Sequence, residues 1–285
     1  MLTGDKVETA TSIAISAGLK SRRHQLHFMR EIDDPKVLRE SLRDFTPKVL
    51  STVLIVDGKT LDTVFKDEYC EQQFFDVAIK APCVCVCRCS PTQKARVCRL
   101  LKKHTGGQRV AAVGDGGNDV GMILEADVGI GVAGKEGMQA SLASDFSVQE
   151  FGSLRKLLLW HGRLSYKRSA VLAQFVIHRG LIISVIQGIF IVLFYFVAIP
   201  VYNGFLMLGY ATVYTCLPVF SLVFDRDANV DAVLKFPPLY KTLQKGRSLN
   251  FKTFCIWVWK SIFQVSIEVK RVGISHNTVF NLVLQ

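Results

Sequence analysis

Charged side chains are almost absent from one long stretch of the sequence. From Ser169 to Phe224 there is no aspartate, glutamate or lysine, and Arg179 carries the single formal charge. Over the whole chain, charged residues still reach 21% and apolar residues 49%, which excludes a disordered protein. No collagen-like period or long heptad run appears, which excludes a fibre of either kind. The opening Met1–Lys6 also lacks the order of charged, apolar and small residues that marks a signal peptide.

The first half of the chain predicts a soluble α/β domain. Apolar runs typical of strands end in glycine or acidic loops, and patterns typical of helices follow them. This alternation favours a parallel sheet covered by helices. Lys20–Lys48 is charged and irregular, and we interpret it as an insertion or a mobile surface excursion. The predicted strands are Thr52–Val56, Pro82–Cys87, Arg109–Val113 and Asp127–Ile130, and the predicted helices are Val7–Gly18, Thr92–Lys103, Val120–Ala126 and Glu136–Ala143.

Two uncharged runs in the second half predict membrane spans. Leu181–Val201 and Gly204–Phe224 each reach the roughly 20 residues that cross a bilayer. Pro200 and Asn203 between them indicate a tight hairpin. A pair of buried core helices in a soluble protein is the alternative. We therefore predict spans over about 172–200 and 203–224, entered by a connecting helix over 151–168.

Basic residues flank both runs, whereas the hairpin carries no charge. Because positive flanks stay in the cytosol, both ends are predicted to be cytosolic and the hairpin to lie outside. Part of the formal charge of +11 therefore reflects the orientation of the chain in the membrane. Nucleic-acid binding is a weaker explanation, because the basic residues are not accompanied by an aromatic platform. The flanking residues are Arg155, Lys156, Arg163, Lys167 and Arg168 before the first run, and Arg226, Lys235, Lys241, Lys245, Arg247 and Lys252 after the second.

The tail contains one more apolar run, Phe251–Ile267, which is short and includes Lys260. Glu268, Lys270 and Arg271 then stop it. We interpret the run either as an incomplete third span or as an interfacial helix.

A glycine-rich acidic loop, Gly114–Asp119, follows one predicted strand and precedes a helix. A carboxylate at the C-terminal end of a parallel strand lies where α/β sheets bind ligands. Glycines let an anion approach the backbone, and a helix N-terminus favours phosphate. Asp115 and Asp119 would repel a phosphate unless a hard cation joined them, so the loop predicts Mg²⁺. A turn followed by an asparagine helix cap is the alternative.

Two further helix starts carry residues suited to phosphate. The triplet Thr3-Gly4-Asp5 offers a hydroxyl, exposed N–H groups and a carboxylate, although an ordinary N-cap would look the same. Ser90 and Pro91 predict the N-cap and first position of another helix. Lys94 then falls in the first turn, where a cation opposes the helix dipole, so we expect its ammonium to face an anion. A solvated surface lysine is the alternative.

Four of the eight cysteines alternate at positions 83, 85, 87 and 89, so that on a strand they would share one face. We interpret them as small buried hydrophobic residues. A zinc site is the alternative, although zinc sites more often pair two Cys-x-x-Cys knuckles.

Arg179 is expected near the middle of the first span. It lies about ten residues past Lys167 and Arg168, roughly 15 Å along a helix, at a depth where a guanidinium is costly. We expect an anionic or carbonyl partner there, and a lipid phosphate in transit is one candidate. His178 could donate a second hydrogen bond. In the alternative, the span begins later and Arg179 lies at the interface.

Several of these motifs together resemble one family. Thr3-Gly4-Asp5, Pro91–Lys94 and Gly114–Asp119 resemble the C-terminal half of the phosphorylation domain of P-type ATPases, which has a haloacid-dehalogenase-like α/β fold. Gly129–Phe146 and His161–Ala170 resemble the type IV branch, the phospholipid flippases. The blocks occur in the family's order, which makes the resemblance specific.

Other blocks narrow the resemblance to the class 2, Neo1-like flippases of the Golgi and endosomes. These are Gln174–Ser184 and Lys245–Phe254, while Phe224–Asp227 resembles a Phe-Asp/Glu-Gln-Asp block with arginine in place of glutamine. The resemblance covers about residues 1–259. It implies a partial phosphorylation domain over 1–150, a connecting helix over 151–168 and a transmembrane region over 169–285, located in trans-Golgi or endosomal membranes.

The resemblance also implies roles for the candidate residues. Asp115 would ligate Mg²⁺, and Asp119 would ligate it or support it. Thr3, Gly4, Lys94 and Asn118 would contact the phosphoryl group donated by ATP, and Asp5 would orient its loop. Arg179 and His178 would line the path of a membrane phospholipid.

The sequence also departs from the family. The string Asp-Lys-Thr-Gly-Thr, whose aspartate is phosphorylated, is absent, and Asp57–Thr60 does not replace it. Without that nucleophile the covalent route cannot begin, so we expect a fragment that is inactive alone. The alternatives are a non-catalytic membrane module that associates with a full-length flippase or an accessory subunit, a fragment of a cation pump, and a free-standing phosphatase. A cation pump would need oxygen ligands in the spans, and a phosphatase would need its own nucleophile.

Overall fold

The computed structural model describes residues 1–134, 138–193, 195–196, 199–244, 246 and 248–283. The chain divides into two compact units, Met1–Phe151 and Gly152–Gln285. The first is α/β with parallel strands and the second is helical, which confirms the predicted fold class at that level. Residues 136, 194, 197, 198, 245 and 247, on which parts of the predictions rest, lie outside the described residues.

The described part of the first unit alternates helices and strands, with 3₁₀ turns at Thr46–Ser51 and Gly117–Asp119. Its elements are α1 (Val7–Ser16), β1 (Gln25–Met29), α2 (Pro35–Phe45), β2 (Thr52–Asp57), α3 (Gly58–Lys66), α4 (Glu68–Ala78), β3 (Val84–Cys87), α5 (Pro91–His104), β4 (Ala111–Gly114), α6 (Val120–Glu125), β5 (Val128–Val132), α7 (Gln139–Ala143) and β6 (Phe146–Val148).

The strands form two three-stranded parallel sheets, ordered β1-β2-β3 and β4-β5-β6. Leu2 makes an isolated parallel bridge to Val86, so the first residues of the chain extend along the free edge of β3. Every residue of β2 is buried, as expected for the middle strand of a parallel sheet covered on both faces. Residues of both sheets, among them Val86 and 111–113, line an apolar cavity of about 810 Å³.

The interpretation of Lys20–Lys48 as an insertion or mobile excursion is wrong. The segment contains β1, which pairs in parallel with β2 from Gln25 to Met29, and α2, which buries Leu38, Leu42 and Phe45. Both elements therefore belong to the sheet and its core. In the sequence, the charged residues on the exposed face of α2 made its amphipathic pattern hard to recognise.

The prediction that the four alternating cysteines are buried holds for Cys85, Cys87 and Cys89, whereas Cys83 is half-buried. Cys85 and Cys87 pack with Val7 and Ala10 of α1. The prediction that all four cysteines share one face is wrong for Cys89. It lies beyond the end of β3 and packs in a different core cluster from Cys85 and Cys87. Burial raises the pKa of the Cys85 thiol to about 12, so it behaves as a small hydrophobic side chain.

The second unit consists of helices with two π-helical turns, at Leu157–Gly162 and Tyr210–Tyr214. Among the described residues, two helices are long and apolar enough to cross a membrane, Ser153–Val192 and Gly204–Phe224. Only 0% and 6% of their apolar windows are buried in the protein, which disfavours a soluble core pair. The elements are α8 (Ser153–Lys156), α9 (Arg163–Leu193), α10 (Gly204–Gly209), α11 (Cys216–Phe224), α12 (Val230–Lys235), α13 (Lys241–Gln244) and α14 (Phe251–Val283), with a 3₁₀ turn at Pro237–Tyr240.

One predicted boundary in this unit is wrong, and the tail forms a longer helix than its apolar run. The helix of the first span ends at Leu193 and does not reach 200, and the Gln187 side chain donates to the Ile199 carbonyl (3.0 Å) and accepts from the Val201 N–H (2.9 Å). Ile199 and Val201 therefore lie beside Gln187 of this helix. The charged residues 268–271 interrupt the apolar run of the tail but not its helix, since α14 continues to Val283. Glutamate, lysine and arginine are good helix formers, so charge alone does not end a helix.

Candidate functional site

The first five residues form a loop beside the end of β3. Thr3 donates its N–H to the Val86 carbonyl (2.9 Å), and its own carbonyl accepts from the Cys89 N–H (2.9 Å). The Thr3 hydroxyl donates to the Asp5 carboxylate (2.8 Å), and the Asp5 N–H donates back to that hydroxyl (3.2 Å). A Cβ on Gly4 would meet no atom within 4 Å, so the space above the loop is open. The loop is rigid where it joins β3 and accessible at Gly4.

The start of α5 confirms the predicted N-cap. Ser90 and Gln93 form a reciprocal capping box with Pro91 in the first turn. The Gln93 amide also donates to the Gly58 carbonyl (2.9 Å), which ties α5 to the start of α3. A Cβ on Gly58 would lie 2.4 Å from the Arg88 carbonyl, so only glycine fits this contact. The cap and the contact together fix the position of the next turn, which carries Lys94.

Lys94 finds the anion that its position predicted, and that anion belongs to the same chain. Its ammonium lies 2.8 Å from the Asp119 carboxylate, and the two side chains are only 10% and 13% exposed. Asp119 packs directly against the backbone of Gly114, where a Cβ would come within 2.3 Å of the aspartate Cβ. The pair joins α5 to the loop after β4, away from most solvent.

Asp115 and Asn118 lie on the same loop and are exposed. A Cβ on Gly116 would meet no atom within 4 Å, so the loop is open to a ligand. The structure thus places the two candidate carboxylates differently: Asp115 faces solvent, and Asp119 is engaged with Lys94.

The donor set fits Mg²⁺ rather than a metal that needs a full protein cage. Among the described residues there is no group of three or more histidine, cysteine or acidic side chains that could hold a metal. Mg²⁺ is commonly held by one or two carboxylates, with phosphate oxygens and water completing the shell. Asp115 offers such a carboxylate beside an open loop. Asp119, already paired with Lys94, is placed to position the loop.

The structure brings the predicted residues together in two pairs, Thr3 with Asp5 and Lys94 with Asp119. Leu2, next to Thr3, packs against a cluster that contains Ala112 of β4, the strand that precedes the second acidic loop. All of them follow the C-terminal ends of parallel strands, where α/β folds bind ligands.

Sequence reasoning gave no role to two residues at this edge: Asp57, which it considered only as a substitute for the phosphorylated aspartate, and Arg88. Asp57 ends β2, is buried, and accepts from the N–H groups of Thr60 (2.9 Å) and Glu31 (3.0 Å). Arg88 follows β3, is exposed and has a left-handed backbone with φ of 49°. The signal for Asp57 was present, because an aspartate that ends an apolar run has the same pattern as Asp115. Nothing in the sequence indicates the conformation of Arg88.

In the second unit, neighbouring residues of α9 bind different helices. Arg179 donates from Nη1 to the Ala211 carbonyl and to the Thr215 hydroxyl, both at 2.9 Å. His178 Nδ1 lies 2.6 Å from the Ser261 hydroxyl of α14. The expected carbonyl partner of Arg179 is therefore present in the chain itself, and His178 does not share its partner.

Asp227 forms a second polar cluster beyond the spans. Its carboxylate accepts from Arg163 Nε (2.7 Å) and from the Lys167 ammonium. Arg163 also donates to the Leu239 carbonyl (2.8 Å), so α9 holds the segment that follows the second span. Burial acts to raise the pKa of Asp227, but the hydrogen bonds from Lys167 and Arg163 outweigh it and lower that pKa. Sequence reasoning had noted Asp227 only as part of a block.

Known proteins match the chain along nearly its whole length. Residues 141–270 match the family model "Phospholipid-translocating P-type ATPase C-terminal". The chain is 54% identical over 267 residues to the human "Probable phospholipid-transporting ATPase IIB", which covers 94% of this chain and 23% of the relative. It is 50% identical to the yeast "Phospholipid-transporting ATPase NEO1" and 48% identical to the nematode "Probable phospholipid-transporting ATPase tat-5", each over the same share of this chain. The chain spans about a quarter of the length of these relatives.

The chain joins an α/β unit that carries a glycine-rich acidic loop to apolar helices long enough to span a membrane. It is similar to proteins named as phospholipid-transporting P-type ATPases, among them Neo1 and IIB members. This confirms the resemblance drawn from the sequence.

Proposed function

We propose that this chain supplies the phosphoryl-handling loops and two membrane helices of an ATP-driven phospholipid translocase. The observation that carries the proposal is the buried Lys94–Asp119 pair, which fixes the loop that presents Asp115 at an open edge of the sheet. The α/β unit is then the C-terminal part of a haloacid-dehalogenase-like phosphorylation domain.

Each residue of the site has a role that follows from its position. The Thr3–Asp5 loop is held by its own hydrogen bonds and offers its open backbone at Gly4 to a phosphate. Asp115 would hold Mg²⁺, which neutralises charge between the carboxylate and the phosphoryl oxygens of ATP chemistry. Asn118 lies on the same exposed loop and can donate from its amide. Lys94 keeps Asp119 and the loop in place, and its charge adds to the local attraction for phosphate.

The spanning helices favour a phospholipid over a metal ion as cargo. The stretch from Ser169 to Phe224 holds no carboxylate, which a cation pump would need as a ligand. Its one formal charge is the cation of Arg179. We place both flanks of the two helices in the cytosol and the protein in Golgi or endosomal membranes. A full-length flippase or an accessory subunit is the partner this role calls for.

Phosphate binding by the chain itself tests the site. The 285-residue chain in maltoside micelles is titrated with inorganic phosphate in the presence of Mg²⁺, by calorimetry. We expect weak Mg²⁺-dependent binding that Asp115→Asn removes and that Asp76→Asn, an exposed aspartate on α4, leaves unchanged. Equal binding by the Asp115 variant would refute the assignment.

ATP turnover by the same preparation tests the second part of the proposal. Because the 285 residues of the chain include no phosphorylatable Asp-Lys-Thr-Gly-Thr string, we expect no vanadate-sensitive release of phosphate from ATP. Release clearly above that of a mock preparation would show that the chain carries a nucleophile we have not identified.

A further inference from the structure

The contact between Arg179 and Thr215 lies deep in the membrane. The second span, Gly204–Phe224, has 21 residues and is about 31 Å long, which matches a hydrocarbon core of about 30 Å. Thr215 lies nine residues before Phe224 (224 − 215 = 9), or about 14 Å from that end. Since the Arg179 guanidinium is bonded to Thr215, it lies near the midplane and not at the interface.

The second span is distorted where Arg179 meets it. Through the π turn Tyr210–Tyr214, the Thr215 N–H donates to the Tyr210 carbonyl (3.3 Å), five residues back. In a regular α-helix that N–H would donate to Ala211, so the Ala211 carbonyl loses its usual donor. Pro218 has no N–H to give to Tyr214, which weakens the helix at the same place.

Arg179 and the Thr215 hydroxyl replace the donor that the distortion removes. Arg179 Nη1 donates to the Ala211 carbonyl and to the Thr215 hydroxyl, both at 2.9 Å, and that hydroxyl can itself donate to the carbonyl of Ala211 (3.2 Å) or Tyr210 (2.9 Å). A carbonyl without a donor is costly in hydrocarbon, and so is an unpaired guanidinium. Each group therefore satisfies the other, and the described bonds use only one of the three guanidinium nitrogens.

We propose that Arg179, Thr215 and the Ala211 carbonyl form a latch that a phospholipid phosphate opens. This rests on the proposed function, because it assumes that a phospholipid reaches the spans. A phosphate forms charge-assisted, bidentate hydrogen bonds with arginine, which are stronger than those from a neutral carbonyl and a hydroxyl. Once Arg179 turns to the phosphate, the Ala211 carbonyl keeps only the longer bond from the Thr215 hydroxyl (3.2 Å), and the Thr215 N–H replaces Arg179 as a donor if the π turn closes to α geometry.

Closing the turn would couple cargo binding to a movement. Removing one residue from a helical turn rotates the helix beyond it by about 100° relative to the part before it. The rotation changes which side chains of α11 face α9. Arg179 and Thr215 are thus positioning residues that hold the second span in one of two registers.

The Ala211 carbonyl can be observed directly by labelling. The chain contains two Ala–Thr pairs, Ala10–Thr11 and Ala211–Thr212, so ¹³C-carbonyl alanine with ¹⁵N-threonine gives two carbonyl-edited signals. Ala10 lies in α1 of the first unit and serves as the internal reference for folding. The full chain is studied in maltoside micelles, which contain no phosphate, and the probe is dihexanoyl phosphatidylserine.

We expect Arg179→Gln to move the Ala211 carbonyl signal and to leave the Ala10 signal in place, with Thr215→Val giving a smaller shift in the same direction. Adding the lipid to the wild-type chain should move the Ala211 signal away from its latched position. The lipid should have no such effect on Arg179→Gln. Ser184→Ala, which removes only a hydroxyl bonded within α9, is the matched control and should behave as wild type.

Three results would overturn the latch. One is an Ala211 signal that does not respond to Arg179→Gln. Another is a lipid effect of equal size in wild type and in Arg179→Gln, and the third is the same effect from dihexanoylglycerol, which has no phosphate. The labelling measurement does not depend on ATP hydrolysis. If a complete ATPase that contains this region failed to hydrolyse ATP, the result would therefore count against the proposed function but would not show whether the latch exists.

Discussion

Lys94 is the residue on which most of the candidate phosphate site depends. Its place in the first turn of α5 opposes the helix dipole, and the sequence therefore indicated an anionic partner. That the partner is Asp119 could not be predicted, because it depends on how α5 packs against the loop after β4. The same limit applies to Asp115, which the loop motif identified but whose exposure only the structure shows.

Replacing Lys94 with methionine should destabilise the first unit by about 3 kcal/mol, since the partly buried Asp119 loses its partner. Urea unfolding followed by the thiol reactivity of the buried Cys85 and Cys87 would measure it. Lys103→Met on the same helix removes an exposed ion pair with Glu68 and a 3.6 Å contact with Glu71, which is buried but keeps His104 as a partner (3.1 Å). It should therefore cost less than about 1 kcal/mol. Equal costs for the two variants would show that Lys94 is not a structural partner of Asp119.

Asp227 predicts an acid-sensitive contact. Its pKa is lowered in the folded chain, so its stabilising contribution is full above the unfolded-state value of about 4 and is lost as pH falls through the lower folded value. The Trp160 indole, which donates to the Ala228 carbonyl (3.4 Å), reports on this segment. Its ¹⁵N–H signal should shift as the pH falls below about 4 in the wild type. In Asp227→Asn that step should be absent, whereas Asp231→Asn should keep it.

At the scale of elements, periodicity and capping signals predicted the central strands, α5 with its capping box, and the two apolar helices. β1 and α2 were missed because an edge strand such as Gln25–Met29 lacks a clear alternation and the charged face of α2 hides its buried one. The π turn at Tyr210–Tyr214 produces no hydrophobic periodicity in the sequence from which it could be predicted. It lies where Arg179 contacts a helix that Pro218 weakens, and no local sequence pattern indicates that contact.

The proposed topology of the helical elements can be checked with glycosylation acceptors. Positive flanks and an uncharged hairpin favour cytosolic ends with the hairpin in the lumen. An acceptor site inserted beside Asn203, the N-cap of α10, should therefore be modified in microsomes, and one beside Asn229, the N-cap of α12, should not. The reverse pattern would refute the orientation.

At the scale of the whole molecule, the central claim is that this chain can functionally replace the matching region of a phospholipid-transporting ATPase. The most direct measurement exchanges that region. The 267 residues of the yeast NEO1 protein that align with this chain, at 50% identity, are replaced by those of this chain, and ATP hydrolysis by the purified chimera is measured in phospholipid micelles. The account predicts vanadate-sensitive turnover that Asp115→Asn abolishes and Asp76→Asn preserves. A chimera that folds and inserts normally but hydrolyses no ATP, or one indifferent to Asp115→Asn, would contradict it.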